Sequence, residues 1–369
     1  MQNVILDATS ELHDLLLSPM ALLIQEVTLN KLLPFQVISH LGIADMVPIG
    51  GQISFQEIAA KTGLSEVNVR RILRYAMAMR TFCEPEPEMV AHTNISKAIT
   101  DPNVRDFLVM SAREVWPASV KTFDAMQKWP KSEELNETAF SLAHNTPLSL
   151  YEFFHASPDR ALRFSGAMKA LTAHPEYDIR HGIDNYAWSS LGKAKVVDIG
   201  GNRGNVAIYL ARRFPELEIV VQDKQEVIQG AADDVPADLK GRVTFAAHDM
   251  FAPQTVQADV YHIRWVMRNW SDKYCIIILR ALIPALKPNA RIVIQETCMP
   301  EPGAVPLWKE KEIRHADLIM TSLFNGRDRS VEDWRAFFSK ADNRFILKSA
   351  IQMKNSALTI LDLRWDIEA

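Results

Sequence analysis

The feature that most constrains the fold is an alternation of short β-rich runs and helical segments in the second half of the chain. The β-rich runs lie at 195–200, 218–223, 243–249, 258–265, 291–298, 345–353 and 357–365. This pattern predicts five βα units that form a mostly parallel sheet, followed by a closing pair of strands. We therefore expect a doubly wound, Rossmann-like α/β domain, in which ligands bind at the carboxyl ends of the strands.

The first half of the chain has apolar residues at helical spacing instead. Within it, Ser54 and Glu57 form a capping-box pattern, and a turn at Gly63 leads into a helix with arginines at positions 70, 71 and 74. This helix, glycine turn and second helix also occur in DNA-binding domains. The net charge of −4 provides no basic field for a phosphate backbone, so we expect no nucleic-acid partner and interpret the region as a winged-helix scaffold for dimerisation.

These patterns predict three parts of the chain. A helical, winged-helix-like dimerisation domain covers 1–110, a helical linker that contributes to a substrate pocket covers 111–185, and a Rossmann-like domain for cofactor binding and catalysis covers 186–369. No apolar run reaches the roughly 18 residues that a bilayer span requires, and the N-terminus lacks the pattern of a signal peptide. The three widely spaced cysteines indicate neither a disulfide framework nor a metal site, so we expect a cytoplasmic enzyme without metal.

The sharpest local motif is a glycine-rich turn in the run VVDIGGNRGNVAIYLARRFP. Asp198 lies near the end of the strand, and Gly200, Gly201 and Gly204 permit positive φ angles and a close approach of a ligand to the backbone. Turns of this kind bind nucleotide phosphates as well as S-adenosylmethionine (SAM). Taken singly, Asp198 is also consistent with a cap for the following helix. The residues at the ends of the next strands are therefore needed to distinguish a nucleotide site from a SAM site.

Acidic residues at the ends of the next two strands favour SAM. Asp223 closes the second strand, where a carboxylate accepts hydrogen bonds from ribose hydroxyls. Asp249 closes the third strand as an acceptor for the adenine amino group, and Met250 provides an apolar cover for the ring. Met250 alone is equally consistent with ordinary core, but a carboxylate at the third strand end favours SAM over a dinucleotide.

From Val196 to Pro300 the chain resembles the SAM-dependent O-methyltransferases of the caffeic acid type, through DIGGNRG, VVQDKQEVI, HDMF, IRWVMRNWSDKYC and IQETCMPEPG. The segments LPFQVISHLGIAD, ISFQEIAAKTGLS and FSGAMKALT extend the resemblance over nearly the whole chain. The resemblance implies a homodimer in which the N-terminal helices of one subunit help to close the pocket of the other. It also implies that SAM contacts Gly200, Gly201, Asp223, Asp249, Met250, Arg264 and Thr172.

The same resemblance exposes a departure at the reaction site. In the methyltransferases a histidine before Asp-Trp deprotonates the substrate hydroxyl, but this chain has Arg268, followed by Asn269 instead of aspartate. The two acidic partners remain, as Glu296 and as Asp328, where the family usually has glutamate. A guanidinium stays protonated and has no acceptor, so Arg268 cannot act as a general base. It can stabilise a carbonyl or an oxyanion electrostatically, or simply form a salt bridge with Glu296 or Asp328.

Arg268 also makes the chain resemble the leporin-type pericyclases, methyltransferase-like enzymes that keep SAM as an electrostatic cofactor. That resemblance implies dehydration and hetero-Diels-Alder or Alder-ene cyclisation of a 2-pyridone-like polyketide alcohol. Two other interpretations stay open: an O-methyltransferase of a small phenolic or hydroxylated natural product that uses another base, and a catalytically silent dimeric binding protein. The substrate pocket is expected to include Trp116, Phe164, Met168, Trp265, Met320 and Phe324, with Arg113, Glu114 and His144 as polar contacts.

Overall fold

The computed structural model describes residues 2–367, which form two compact units. The first unit runs to Ala125 and includes Ala139–Ala173, and the second comprises Met126–Thr138 and the chain from His174 onward. This division into two units does not test the predicted three-part organisation, so the domain boundaries near residues 110 and 185 stay predictions.

The helices up to residue 173 include a π-helical turn at Ser111–Val115 and a 3-10 turn at Leu29–Lys31. The α-helices are α1 (Gln2–Leu16), α2 (Pro19–Glu26), α3 (Leu32–Leu41), α4 (Ile43–Met46), α5 (Phe55–Thr62), α6 (Glu66–Ala78), α7 (Asn94–Ala98), α8 (Pro102–Met110), α9 (Trp116–Lys128), α10 (Ala139–Ala143), α11 (Leu150–His155) and α12 (Pro158–Thr172). A two-stranded antiparallel ribbon of β1 (Gln52–Ser54) and β2 (Met89–Ala91) accompanies them.

The helix pair α5 and α6 confirms the local predictions. The Ser54 hydroxyl accepts the Glu57 amide at 3.1 Å, and the Glu57 carboxylate accepts the Ser54 amide at 3.0 Å, which completes the capping box. Gly63 ends α5 with a φ of +74°. Apolar side chains of both helices are fully buried together, among them Phe55, Ile58, Val69 and Leu73. Capping and burial of one face thus explain why the region folds as paired helices.

Two of the three arginines of α6, Arg70 and Arg74, bind carboxylates of their own unit. The guanidinium of Arg70 lies 2.5 Å from Glu88, and that of Arg74 lies 2.7 Å from Glu84. Arginines that bind DNA need free donors for phosphates or base edges. The pairing therefore supports the structural interpretation of this helix-turn-helix pattern.

The second unit contains the large sheet. Its strands are β3 (Ala194–Ile199), β4 (Leu217–Asp223), β5 (Val243–Ala247), β6 (Ala258–Arg264), β7 (Leu286–Glu296), β8 (Phe345–Gln352) and β9 (Thr359–Trp365). Its α-helices are α13 (Ile179–Asp184), α14 (Asn205–Arg213), α15 (Gln225–Ile228), α16 (Asp272–Leu282), α17 (Leu307–Phe324) and α18 (Val331–Ala341). Its 3-10 turns lie at Pro175–Tyr177, Trp188–Leu191, Ala231–Asp234, Ala237–Leu239, Met267–Asn269 and Ile283–Ala285. Within residues 2–367, no helix combines the length and apolarity needed to cross a membrane.

The sheet order is β5-β4-β3-β6-β7-β9-β8, with β5, β4, β3, β6 and β7 parallel. The strands β9 and β8 are antiparallel and close the far edge. Each predicted β-rich run coincides with one of these strands, which confirms the predicted α/β class. The chain order reverses direction between β3 and β6, so the loops after β3, β4 and β6 meet at one edge of the sheet, where a ligand site is expected.

Candidate cofactor and reaction site

The glycine turn after β3 leaves no room for side chains. Gly200 and Gly204 have φ angles of +68° and +78°, which L-residues rarely adopt. A Cβ atom on Gly201 would lie 2.6 Å from Oδ2 of Asp198. Asn202, next in the turn, has a φ of +52°, a value that asparagine tolerates better than most residues. The bare backbone is a cradle that fits a closely bound cofactor.

Asp223 ends β4 beside this turn. Its Oδ2 accepts the backbone N–H of Asn202 at 3.0 Å, and its Oδ1 accepts that of Lys224 at 2.8 Å. Burial raises the pKa of Asp223, these two hydrogen bonds lower it, and the charge of Asp198 raises it further. Each carboxylate oxygen has a second lone pair, so Asp223 keeps acceptor capacity, and its contact with ribose hydroxyls stays a prediction.

Asp249 and Met250 follow β5. Asp249 is exposed, and its Oδ1 accepts the Phe251 amide at 3.0 Å, which fixes the turn. Met250 is half-buried. Their predicted contacts with the adenine ring stay a prediction.

Arg264 ends β6 and is half-buried. Its Nη2 donates to the Tyr177 carbonyl oxygen at 2.5 Å, while its Nε has no hydrogen-bond partner among residues 2–367. Burial lowers the pKa of Arg264, and the nearby carboxylates of Asp198 and Glu296 oppose this change. A buried donor of this kind, close to carboxylates and to the glycine turn, fits a polar group of a cofactor.

Tyr177 is a neighbour that the sequence did not predict. Its ring stacks on that of Trp265, with the centroids 4.5 Å apart and the planes 26° from parallel. Trp265 has a φ of +57°, an unusual value for a bulky residue. Such strain is typically retained at functional sites, which supports Trp265 as part of one.

Arg268 lies in the 3-10 turn Met267–Asn269 and is only 6% exposed. Its Nη2 donates to Oδ2 of Asp328 at 2.8 Å, and its guanidinium lies 5.7 Å from the centroid of the Trp265 ring. Its Nε has no hydrogen-bond partner in the described part of the chain. Burial raises the pKa of Asp328 to about 6, although the charge of Arg268 opposes this. The salt bridge between Arg268 and Asp328, one of the interpretations left open by the sequence, is thus present. The guanidinium still has an N–H donor, at Nε, that is free to bind another group.

Glu296 is completely buried at the end of β7. Its Oε1 accepts the backbone N–H groups of Val266 and Met267 at 2.7 and 2.6 Å, and its Oε2 has no partner within residues 2–367. Burial raises the pKa of Glu296 to about 7, against the charge of Arg268, which lowers it. Glu296 therefore fixes the backbone immediately before Arg268, and one of its oxygens remains available.

Two further residues hold the turn that carries Arg268, and the sequence did not predict them. Arg329, fully buried, donates to the carbonyl oxygens of Met267 at 3.4 Å and Trp270 at 3.1 Å. Gly326 packs against the same turn so closely that a Cβ atom would lie 2.2 Å from the Arg268 carbonyl oxygen. Both lie within two positions of Asp328 in the sequence GRDR, and this proximity was the only sequence signal that pointed to them.

The remaining predicted residues of the second unit lie on the same elements. Asn269 ends the turn, and its amide donates to the Val266 carbonyl at 3.2 Å. Met320 lies in α17, half-buried, and Phe324 is the buried last residue of that helix. Their predicted roles in catalysis and in the pocket stay predictions.

The other predicted residues belong to the first unit. Phe164 and Met168 are half-buried in α12, and Trp116 lines a cavity of about 280 Å³ together with Val120 and Ala143. Thr172 is exposed, and its hydroxyl donates to the carbonyl of Met168 at 2.9 Å in its own helix. Contact of Thr172 with SAM stays a prediction.

The polar residues of the linker form two separate interactions. Arg113 is exposed, with Nη2 2.9 Å from Nδ1 of His40. Glu114 is buried and binds Arg160 at 2.9 Å. Burial lowers the pKa of His144, and the charge of Arg160 lowers it further. Whether these groups contact a substrate stays a prediction.

A profile of the O-methyltransferase domain matches residues 125–344, and a profile of the O-methyltransferase dimerisation domain matches residues 32–101. The chain belongs to the O-methyltransferase family. The O-methyltransferase PaMT of Phomopsis amygdali is 41% identical over 364 residues, which cover 98% of this chain and 85% of that relative. The O-methyltransferase pyvH of Aspergillus violaceofuscus is 39% identical over 367 residues, which cover 96% and 85%.

Solved structures have the same fold. LepI in complex with SAM has a TM-score of 0.80 at 22% identity, with 99% of this chain and 93% of that chain covered. OxaC in complex with S-adenosylhomocysteine (SAH) and oxaline has a TM-score of 0.82 at 21% identity, with 97% and 91% covered. At these identities the likeness concerns the fold. Membership of the family confirms the predicted resemblance and, with it, SAM as the cofactor.

Proposed function

We propose that this protein of the O-methyltransferase family uses SAM to catalyse dehydration or pericyclic cyclisation of a hydroxylated natural product, without net methyl transfer. The observation that carries the proposal is the buried guanidinium of Arg268, anchored by Asp328 at the position of the family's histidine. The substrate class that fits is an alcohol next to a carbonyl, such as a 2-pyridone alcohol. Loss of water from such an alcohol leaves a conjugated system that can then cyclise.

Arg268 acts on the substrate by charge and hydrogen bonding. Asp328 occupies one nitrogen of the guanidinium and fixes its orientation, while the unpaired Nε is a donor for the substrate carbonyl. As the carbonyl oxygen gains negative charge, the hydrogen bond strengthens, so the transition state is stabilised more than the ground state. In a buried site the guanidinium is already oriented, so little reorganisation opposes the reaction.

The residues that would hold SAM are those of the glycine turn and the strand ends. Bound SAM supplies a sulfonium cation with a transferable methyl group. Gly200 and Gly201 allow close approach, Asp223 accepts ribose hydroxyls, and Arg264 offers a buried donor. The fit rests on the turn without side chains and on the unpaired polar atoms around it.

Methyl transfer with Glu296 as the proton acceptor is the second candidate function. The curated relatives PaMT and pyvH are named O-methyltransferases, and the pKa of Glu296, raised by burial to about 7, suits a general base. Its Oε2 has no protein partner in the described part of the chain. In this reaction the substrate hydroxyl loses its proton to Glu296 while its oxygen takes the methyl group.

The two candidates differ in what happens to SAM. We expect many turnovers of a hydroxylated 2-pyridone substrate on undepleted SAM, with a product whose mass equals the substrate or the substrate less water. Mass spectrometry of substrate, product and SAH in one reaction measures all three. A product that gains one methyl group, with an equimolar amount of SAH, would establish methyl transfer and overturn the pericyclase proposal.

We also infer a homodimer, because the N-terminal helices leave a broad apolar surface exposed. The exposed fractions in α1, α2 and the following turn reach 75% for Leu15, 77% for Leu16, 64% for Met20, 59% for Leu23 and 78% for Leu29. Monomeric soluble proteins rarely expose so large an apolar patch. A second copy of the chain is the partner that the matched dimerisation domain favours.

Light scattering tests the dimer. We expect twice the chain mass for the natural protein, and the monomer mass for the double variant Leu15→Glu and Leu23→Glu, because buried charge opposes association. Leu307→Glu is the control: Leu307 is 71% exposed at the start of α17, outside the N-terminal helices and outside the matched residues 32–101, and its substitution should leave the dimer intact. A monomeric natural protein at micromolar concentration would refute the inference.

A further inference from the structure

A buried histidine and aspartate lie side by side beneath the glycine turn. Asp198 on β3 and His262 on β6 are direct neighbours in the parallel register. Nδ1 of His262 lies 2.7 Å from Oδ1 of Asp198, and the side chains are 0% and 3% exposed. Burial of two ionisable groups in the interior of a sheet is costly, so it calls for an explanation beyond packing.

The unpaired atoms favour one arrangement of protons in this pair. A carboxylate at Asp198 accepts from the ring when Nδ1 carries the proton. The other ring nitrogen, Nε2, has no partner among the residues the structure describes, so a protonated imidazole would bury an N–H without an acceptor. A neutral ring with its proton on Nδ1 avoids that cost. In this arrangement Asp198 is the anion of the pair.

The second oxygen of Asp198 faces the cofactor turn. Oδ2 has no partner in residues 2–367, and it lies 2.6 Å from the place where Gly201 would carry a Cβ atom. The charge of Asp198 also acts on other predicted cofactor residues. Burial raises the pKa of Asp223, two backbone hydrogen bonds lower it, and the charge of Asp198 raises it. Burial lowers the pKa of Arg264, and the charge of Asp198 opposes that decrease.

We propose that His262 is a positioning residue that holds Asp198 as a buried anion beneath the glycine turn, and that this anion favours binding of the sulfonium cofactor relative to its neutral thioether product. The inference rests on SAM as the cofactor and holds for either candidate reaction. SAM and SAH share the adenosine and amino-acid groups and differ in the methyl group and the charge at sulfur. A buried negative charge close to the turn therefore attracts the positive sulfonium of SAM and has no such attraction for the neutral sulfur of SAH.

Calorimetry with SAM and with SAH separates this role from a structural one. Asp198→Asn removes the charge at constant shape, and we expect the ratio of SAM to SAH affinity to fall about tenfold. His262→Phe keeps an aromatic ring but removes the donor, and should lower the same ratio. His262→Asn is the matched control, because its amide nitrogen can take the place of Nδ1 and should preserve the ratio within about twofold.

The outcomes are distinct. Equal weakening of SAM and SAH in Asp198→Asn and in His262→Phe would assign the pair a structural role and overturn the proposal. Failure of the natural protein to bind either ligand would instead overturn the cofactor assignment. A measurement on the natural protein keeps the test independent of folding: a buried charge is weakly screened, so the affinity ratio should stay constant as salt increases. A ratio that falls steeply with salt would assign the preference to exposed carboxylates such as Asp249 and contradict the proposal.

Discussion

Arg268→Ala should lower the turnover number about 10²-fold, the typical effect of removing one donor to a developing oxyanion. The guanidinium is buried, held by Asp328 at 2.8 Å, and has unpaired donor capacity at Nε. Because Arg268 lies outside the glycine turn, the affinity for SAM should change little. Steady-state kinetics by mass spectrometry, with calorimetry for SAM, measure both quantities.

The same substitution should destabilise the fold in a pH-dependent way. Removing one partner of a buried ion pair costs about 3–5 kcal/mol when the other stays charged. Without the guanidinium, which lowers the pKa of Asp328, burial should raise that pKa further above about 6. A folded-state pKa above the unfolded value means that stability is present at low pH and lost as pH rises. Arg268→Ala should therefore lose more stability at about pH 8 than at about pH 5.

Two conservative variants show which property of Arg268 matters. Arg268→Lys keeps the charge but loses the planar fork of donors, so it should recover only part of the rate. Arg268→His restores the family's base without that fork, so cyclisation should fall even if methyl transfer to a phenolic test substrate appears. Equal or increased turnover in Arg268→His, with one SAH released per product, would instead support the methyltransferase candidate.

The fold could be predicted from the sequence because its signals are local. The strands β3 and β6 are buried on both faces over most of their length and appear as short apolar runs that contain Val and Ile. The glycine turn and the capping box at Ser54 depend on residues a few positions apart. The boundaries of the strands were less well predicted. The strand β7 begins at Leu286, five positions before the predicted run at 291. Its first residues include Pro288 and Asn289, which are uncommon in strands and therefore gave no strand signal.

The site was only partly predictable, because its chemistry depends on contacts between distant segments. Arg268, Glu296 and Asp328 follow from motif spacing, but spacing did not indicate which carboxylate pairs with the guanidinium. The structure pairs Arg268 with Asp328 and assigns Glu296 to two backbone amides. Likewise, the contact of His262 with Asp198 joins residues 64 positions apart across two strands.

Gly326→Ala should lower both the stability and the turnover of the protein, because the added methyl group would displace the turn that carries Arg268. The backbone angle of Gly326 lies outside the positive-φ region, so the strain comes from contact alone. A Cβ atom there would lie 2.2 Å from the Arg268 carbonyl oxygen and 3.0 Å from the Asn269 carbonyl carbon. Both are backbone atoms of a turn held on its other sides by Glu296 and Arg329, so they cannot yield as a flexible side chain would.

We expect Gly326→Ala to lose about 1–3 kcal/mol of unfolding free energy, the usual cost of overpacking. Turnover should fall about 10²-fold, because a shift of about 1 Å in a catalytic group suffices for that loss. Denaturant unfolding and kinetics measure the two effects, and retained SAM affinity would show that the rest of the site is intact.

Gly51→Ala is the matched control, because Gly51 is exposed, has no positive φ and would place its Cβ 3.1 Å from a proline side chain. Its substitution should change stability by less than about 1 kcal/mol, since restricting the unfolded chain favours alanine. If Gly326→Ala matched this control in stability and turnover, the turn would be free to move, and the rate would not depend on a rigidly held Arg268. Loss of turnover in Gly326→Ala with an unchanged side chain at position 268 would mean that the location of the guanidinium, and not its presence alone, sets the rate.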